Sequence, residues 1–179
     1  QWGLWRDAVE QVFAQTKGMP YPEPEFKINF HHADEFPLYK NRRHLLILGF
    51  LDGKDNASLL GTKMLTQELR DGIKEGRYFY FQKDDLWARG QFVMVGIGRD
   101  PTDVFSQLIG NKRPMLAALR SHYYSHLQES MFSRREQKEL EKEILSSHDF
   151  GLRMQVDYEI ILDNKKDNFS TYRNFVNKC

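Results

Sequence analysis

Histidine and carboxylate spacing gives the first chemical lead in this chain. His122 and His126 stand four residues apart, and Glu129 lies three further on. On a helix that spacing places the side chains along one face, an arrangement in which two imidazoles and a carboxylate hold a divalent metal. A helical zinc hydrolase carries a glutamate directly after the first histidine, and this chain has Tyr123 there. The pattern therefore offers metal ligands without the usual general base. His31-His32-Ala33-Asp34-Glu35 is the second cluster. Along a strand, His31 and His32 point to opposite faces. Asp34 or Glu35 is placed to orient one of them as a base, and the plainer reading is a polar loop at a strand end.

Other motifs carry less. Asp84-Asp85 and the Glu23/Glu25 pair are sequence neighbours, whereas glycosidase chemistry needs carboxylates facing each other across a cleft. Gly96-x-Gly98 lacks the third glycine of a phosphate loop, and Asp100 at the following helix start occupies the place an anion would take. No G-x-S-x-G elbow is present. Cys179 is the single cysteine, which rules out an intramolecular disulfide, and no motif around it lowers its pKa. No catalytic residue and no cofactor is assigned; His122, His126 and Glu129 are the metal candidates. Trp2, Trp5, Trp87, Tyr123 and Tyr124 are the candidates for an exposed aromatic patch that binds a partner, against core packing as the ordinary use of such rings.

These residues need a scaffold, and the composition supplies one. Of 179 residues, 40% are hydrophobic and 13% aromatic, enough to enclose a core. Charged residues are 28% and nearly balanced, for a formal net charge of +1. A nucleic-acid binder shows a basic excess or stripe, and Arg42-Arg43 and Arg134-Arg135 are too short for one. No apolar run approaches the roughly 20 residues of a membrane span. The chain begins at Gln1 without an initiator methionine, as a processed or trimmed segment does.

Periodicity predicts the elements. Trp2, Leu4, Trp5, Val9, Val12 and Phe13 recur at helical spacing, with Gly18 as a stop. Prolines 20, 22 and 24 form a stiff connector. Phe26, Ile28 and Phe30 alternate with Lys27, Asn29 and His31, as on a strand. Residues 44–50 are almost wholly apolar, as in a strand covered on both sides. A helix runs from Ser58 past Ile73 to Gly76. Residues 78–81 and 91–97 form a hairpin. Asp100-Pro101 opens a helical stretch that breaks at Gly110 and resumes near Pro114. Ser133-Arg134-Arg135-Glu136 reads as a capping box opening a helix to about His148. Residues 152–162 and 169–175 read as a closing strand pair around a turn at 164–168. The fold class is α+β: a mostly antiparallel sheet packed on one side by helices, with the long helices in 101–148. Residues 1–179 read as a single domain.

In this order the motifs resemble a family. Gly18-Met19-Pro20-Tyr21-Pro22-Glu23-Pro24-Glu25-Phe26 is similar to the "GLPQPEPLF" segment of Bacteroidota envelope lipoproteins of unknown function, the domain-of-unknown-function family 4837. Asn41-Arg42-Arg43-His44 followed by an apolar strand resembles its "HRN" element. Trp87-Ala88-Arg89-Gly90-Gln91 resembles "W-A-x-P-Q", with Gly90 in place of proline. Asn168-Phe169-Ser170-Thr171-Tyr172-Arg173 resembles its "N-F-x-W-L-R" close, with Tyr172 in place of tryptophan or leucine. The resemblance implies an extracytoplasmic protein of the cell envelope, attached to the membrane only through a lipid anchor upstream, and corresponding to the first half of a longer protein. The family has no established activity, so no catalytic residue carries over. Pro22, Glu23, Pro24, Trp87 and Gln91 match through turn geometry and the start of a strand.

Three functions follow as expectations. The first is a non-enzymatic envelope module that binds or scaffolds a protein or glycan. The second is a metal-dependent hydrolase using His122 and His126. The third is a structural half-domain whose sheet edge pairs with a second half.

Overall fold

The computed structural model describes residues 2–17, 23–133, 136–148, 150–167 and 169–174. Within the stretch read as one domain, the chain divides into two compact units, Gln1–His122 and Tyr123–Cys179. The expected stop at Gly18 and the first two prolines of the connector lie outside the described residues.

The first unit runs α1 (Trp2–Phe13), β1 (Thr16–Lys17), β2 (Glu23–Pro24), a 3-10 turn (Ala33–Glu35), α2 (Phe36–Tyr39), β3 (His44–Phe50), α3 (Asn56–Lys63), α4 (Gln67–Lys74), β4 (Tyr80–Asp84), β5 (Phe92–Gly98) and α5 (Pro101–Gly110). The boundary between the units falls inside α6 (Lys112–Phe132), and the second unit continues with α7 (Lys138–Ser147), β6 (Tyr158–Asn164) and β7 (Phe169–Asn174). The class is α+β, as expected. β4 with β5, β1 with β2 and β6 with β7 are antiparallel, and β3 with β5 is parallel.

The central sheet has the order β3-β5-β4, and helices cover both of its faces rather than one. Residue parity explains why. Phe92 and Met94 of β5, with Leu46, Leu48 and Phe50 of β3, pack against Val9, Val12 and Phe13 of α1, Val104 and Leu108 of α5, and Met115 and Leu116 of α6. Val93, Val95 and Ile97, with Leu45 and Ile47, turn the other way onto Leu60, Met64, Ile73 and Trp87. Both strands are apolar at successive positions, so leaving either face uncovered would expose a row of side chains worth about 1.5–3 kcal/mol each on burial.

Helix ends follow their caps. Asp100 is fully extended and accepts from the Thr102 and Asp103 amides at 2.8 and 2.9 Å, with Pro101 in the first turn. The helix expected from Ser58 past Ile73 is two helices. Asp55 caps the first, and the Thr66 hydroxyl accepts from Leu69 N at 3.3 Å to start the second. Gly76, at φ 74°, ends it in the left-handed region.

Two further expectations change. The segment holding Phe26, Ile28 and Phe30 packs these half-buried side chains against the first core and leaves Lys27 and Asn29 exposed, as its alternation implies, yet it joins no ladder among the described residues. Glu25 anchors it: its carboxylate accepts from Arg120 Nε at 3.0 Å and Nη2 at 2.5 Å. The helix expected from Ser133 begins at Lys138, with Gln137 as its N-cap. Ser133 Oγ instead donates back to Ser130 O at 3.0 Å, and Arg134 and Arg135 lie outside the described residues.

In the second unit β6 and β7 form a hairpin whose register shifts between Ile160 and Leu162. Gln137 Nε2 donates to Gln155 O at 2.8 Å and Tyr158 O at 2.6 Å, holding the start of α7 to the chain before β6. No helix among the described residues is long and apolar enough to cross a membrane.

Candidate functional site

The first unit holds a broad concavity. It is a groove of about 1410 Å³ between β3 and the segment 26–34. Leu46, Leu48 and Phe50 line it from one side of β3 and Leu45 and Ile47 from the other, so it runs along the strand's edge. Trp5, Val9 and Phe13 of α1 close part of it, and Phe26, Ile28 and Phe30 face it from the opposite wall. Arg42 and Arg43 stand at the start of β3, and Lys54 to Ala57 stand beyond its end.

Backbone register sets what this wall offers. Phe92 N donates to Arg43 O at 2.7 Å, and Leu51 N donates to Gly98 O at 3.0 Å. In a parallel ladder these fix the odd residues of β3 as the ones bonded to β5. The even residues therefore turn their N–H and C=O groups toward the groove. At the far end Phe50 N is answered by Ser58 Oγ at 3.2 Å. Ser58 is fully buried and its hydroxyl donates to Asp55 Oδ2 at 2.6 Å.

The charge of the lining is mostly positive: Arg6, Lys27, Arg42, Arg43 and Lys54 against Asp34 and Asp55. Both carboxylates are engaged. Asp34 accepts from the Asn56 amide. For Asp55, burial alone would raise the pKa, but hydrogen bonds from Ser58 outweigh it and hold the carboxyl below its ordinary value. Arg42 lies over the Tyr39 ring at 5.9 Å, and Tyr39 stacks on His31 at 3.5 Å.

Gln91 fixes the Arg42 end. Fully buried, it donates to Lys40 O at 2.6 Å and Arg42 O at 2.7 Å, and its Oε1 accepts from Trp87 N at 3.0 Å. The side chain thus ties the turn before β5 to the loop before β3. Its place just after a loop in the sequence marks the start of a strand but not this long-range role.

Each metal candidate has its own neighbours. His122 Nδ1 lies 3.2 Å from His44 Nε2, and its ring stacks on Phe92 at 5.1 Å. His126 instead meets Glu129 at 3.9 Å. Among the described residues no three His, Cys, Asp or Glu side chains come together as a metal centre. His31 pairs with Glu35 at 3.5 Å.

The aromatic candidates also divide. Trp5 is half-buried, donates from Nε1 to Pro101 O at 3.0 Å and meets Phe50 edge-on at 6.4 Å, at the groove. Trp87 packs edge-on against Phe36 at 4.9 Å within the second core. Tyr123 and Tyr124, 37% and 38% exposed, meet each other edge-on at the surface of the second unit. The side chain of Trp2 lies outside the described residues.

One cluster escaped the sequence pattern. His148 Nε2 donates to Asp163 Oδ1 at 2.6 Å, and Ser170 Oγ donates to the same oxygen at 2.7 Å while lying 3.1 Å from that nitrogen. These are the residue types of a hydrolytic triad, but the geometry is not that of one. A triad places the carboxylate on one imidazole nitrogen and the hydroxyl on the other, and here both crowd Nε2. Hydrogen bonds from Ser170 and then His148 hold the Asp163 carboxyl below its ordinary value, so it accepts from both and clasps the hairpin to the end of α7.

Residues 3–132 match the model of a family described as a domain of unknown function (DUF8532), a stretch that includes every residue lining the groove. No curated protein and no solved structure matches the chain.

Proposed function

The chain belongs to the DUF8532 family, and we propose that it is a non-enzymatic, extracytoplasmic binding module whose recognition surface is the groove along β3. The carrying observation is the groove itself: about 1410 Å³ of space with apolar walls, a cationic end and backbone polar groups turned into it. Small-molecule sites occupy roughly 300–1,000 Å³, so this one suits a larger ligand. Its lining offers guanidinium and ammonium groups, aromatic faces and main-chain amides. Ser58, whose hydroxyl bonds the Asp55 carboxylate at the end of the groove, is fully buried. The envelope placement draws on the likeness of the 18–26, 41–47, 85–91 and 168–173 segments to Bacteroidota lipoproteins. A membrane attachment would then lie upstream in a lipid anchor, and the partner would be an envelope protein or glycan.

The test is an NMR titration of the isotope-labelled protein with pooled peptides and, separately, pooled glycans. Binding that shifts amides within 26–34 and 42–50, and is lost in an Arg42→Glu/Arg43→Glu variant of unchanged melting temperature, supports the reading. Saturable binding that shifts other residues instead, or no binding by either pool at millimolar concentration, refutes it. Labelling of cells with a radioactive fatty acid checks the envelope placement: no lipid on the full-length protein counts against an anchor.

A further inference from the structure

Resting on the groove as the recognition surface, we propose that its ligand is an extended peptide strand of a partner protein. The strand adds antiparallel to the outer edge of β3, is apolar at alternate positions, and is acidic at its C-terminal end.

The edge argues for a strand. Among the described residues no strand pairs with the outer side of β3, and the ladder to β5 consumes only its odd residues. Leu46 and Leu48 therefore present N–H and C=O groups in the alternation that a further strand satisfies, and Ser58 terminates the run at Phe50. Natural edges are blunted by lysine, proline, bulges or inward charges. β3, His44-Leu45-Leu46-Ile47-Leu48-Gly49-Phe50, carries no lysine or proline, and its register with β5 is unbroken. Its seven residues span about 23 Å. A bound strand would direct alternate side chains to the Leu46/Leu48 side and the Leu45/Ile47 side of the groove. A strand matches this row of main-chain groups at the repeat of the backbone itself, donor to acceptor and acceptor to donor, over several residues.

Charge sets the polarity. Arg42 and Arg43 sit where β3 begins, while at the other end Lys54 is outnumbered by Asp34 and Asp55, which accept from the neutral groups of Asn56 and Ser58 and keep their charge. Antiparallel addition, the more stable pairing, carries the peptide's C-terminal end to those arginines, where carboxylates accept charge-assisted hydrogen bonds.

The experiment measures fluorescence anisotropy of a labelled peptide of about ten residues, matched to the strand length, with alternating valine and threonine and two glutamates at its C-terminus. We expect saturable binding. Ending the peptide in two lysines, or N-methylating alternate amides on its bonding side, weakens it at least about tenfold. Leu46→Pro removes an outward N–H without touching the β5 ladder, and weakens binding at least about tenfold relative to Leu46→Ala. Hydrogen exchange on the full-length protein slows at Leu46 and Leu48 when the peptide is added. The proposal is overturned by equal binding of the N-methylated peptide, a test independent of whether Leu46→Pro folds. It is also overturned if Leu46 and Leu48 are already protected in peptide-free full-length protein, because another copy or another segment then covers the edge. Groove-specific binding of a glycan panel with no binding of the peptide overturns the strand while sparing the binding module.

Discussion

Gln91 shows how one polar side chain governs the candidate site. Its buried amide reaches the carbonyls of Lys40 and Arg42 and receives the Trp87 N–H. Gln91→Leu leaves these groups without partners, and we expect a loss of about 3 kcal/mol, seen as a fall of roughly 10 °C in melting temperature. A fall under about 2 °C would mean the loop before β3 is held by other contacts. Asp103 supplies a pH test. Its carboxylate accepts from Arg99 Nε at 3.1 Å and Nη2 at 2.8 Å, and these bonds hold its pKa below the ordinary value. A depressed carboxyl contributes stability above its unfolded pKa and loses it as pH falls through the folded one. Stability should thus drop as pH falls from about 5 toward 2, and Asp103→Asn should flatten that slope by less than about 1 kcal/mol, because the arginine is half exposed. An unchanged slope in chemical denaturation would remove Asp103 from the account. At this scale the sequence was readable where the chemistry is local. The Asp100 cap and its proline sit within a few residues of what they bond. The spacing of His122 to His126 is a local signal, whereas the ring partners of His122, His44 and Phe92, come from distant strands that the sequence does not announce.

Among the elements, the closest approach is α3 against β3. A Cβ built on Gly49 would lie 2.6 Å from Ser58 Cα, a backbone atom that cannot swing aside. Gly49→Ala should therefore cost about 1–3 kcal/mol by forcing α3 off the strand, measured by urea denaturation. A neutral result would show that α3 shifts freely. The alternation of Phe26, Ile28 and Phe30 foretold which side chains go inward, and it did so although the segment has no ladder partner. Hydrophobic period reports burial, whereas strand pairing depends on a neighbour that periodicity cannot see. The helix predicted across 58–76 broke in two for a related reason. Its apolar positions continue through Met64 and Leu65, while the Thr66 hydroxyl, a strong capping group, restarts the backbone.

For the molecule as a whole, the division at His122 carries a spectroscopic consequence. All three tryptophans, Trp2, Trp5 and Trp87, belong to the first unit. Tryptophan fluorescence then follows that unit, while far-ultraviolet circular dichroism follows both. We expect the two urea transitions not to coincide, and expect Asp163→Ala, which breaks the clasp to His148 and Ser170, to move the dichroism transition alone. Coincident curves would mean that the units unfold together.

The sequence by itself determined the α+β class, most strands and helices and their inward faces, because burial repeats at intervals of two or near four residues and caps act over one turn. Tertiary structure alone decided the rest: that β3 pairs parallel with β5, that helices cover both faces of the sheet, and that one edge of β3 lies along a groove. These follow from which distant segments meet, and main-chain hydrogen bonds are identical in every residue but proline, so no side-chain pattern announces where they are satisfied.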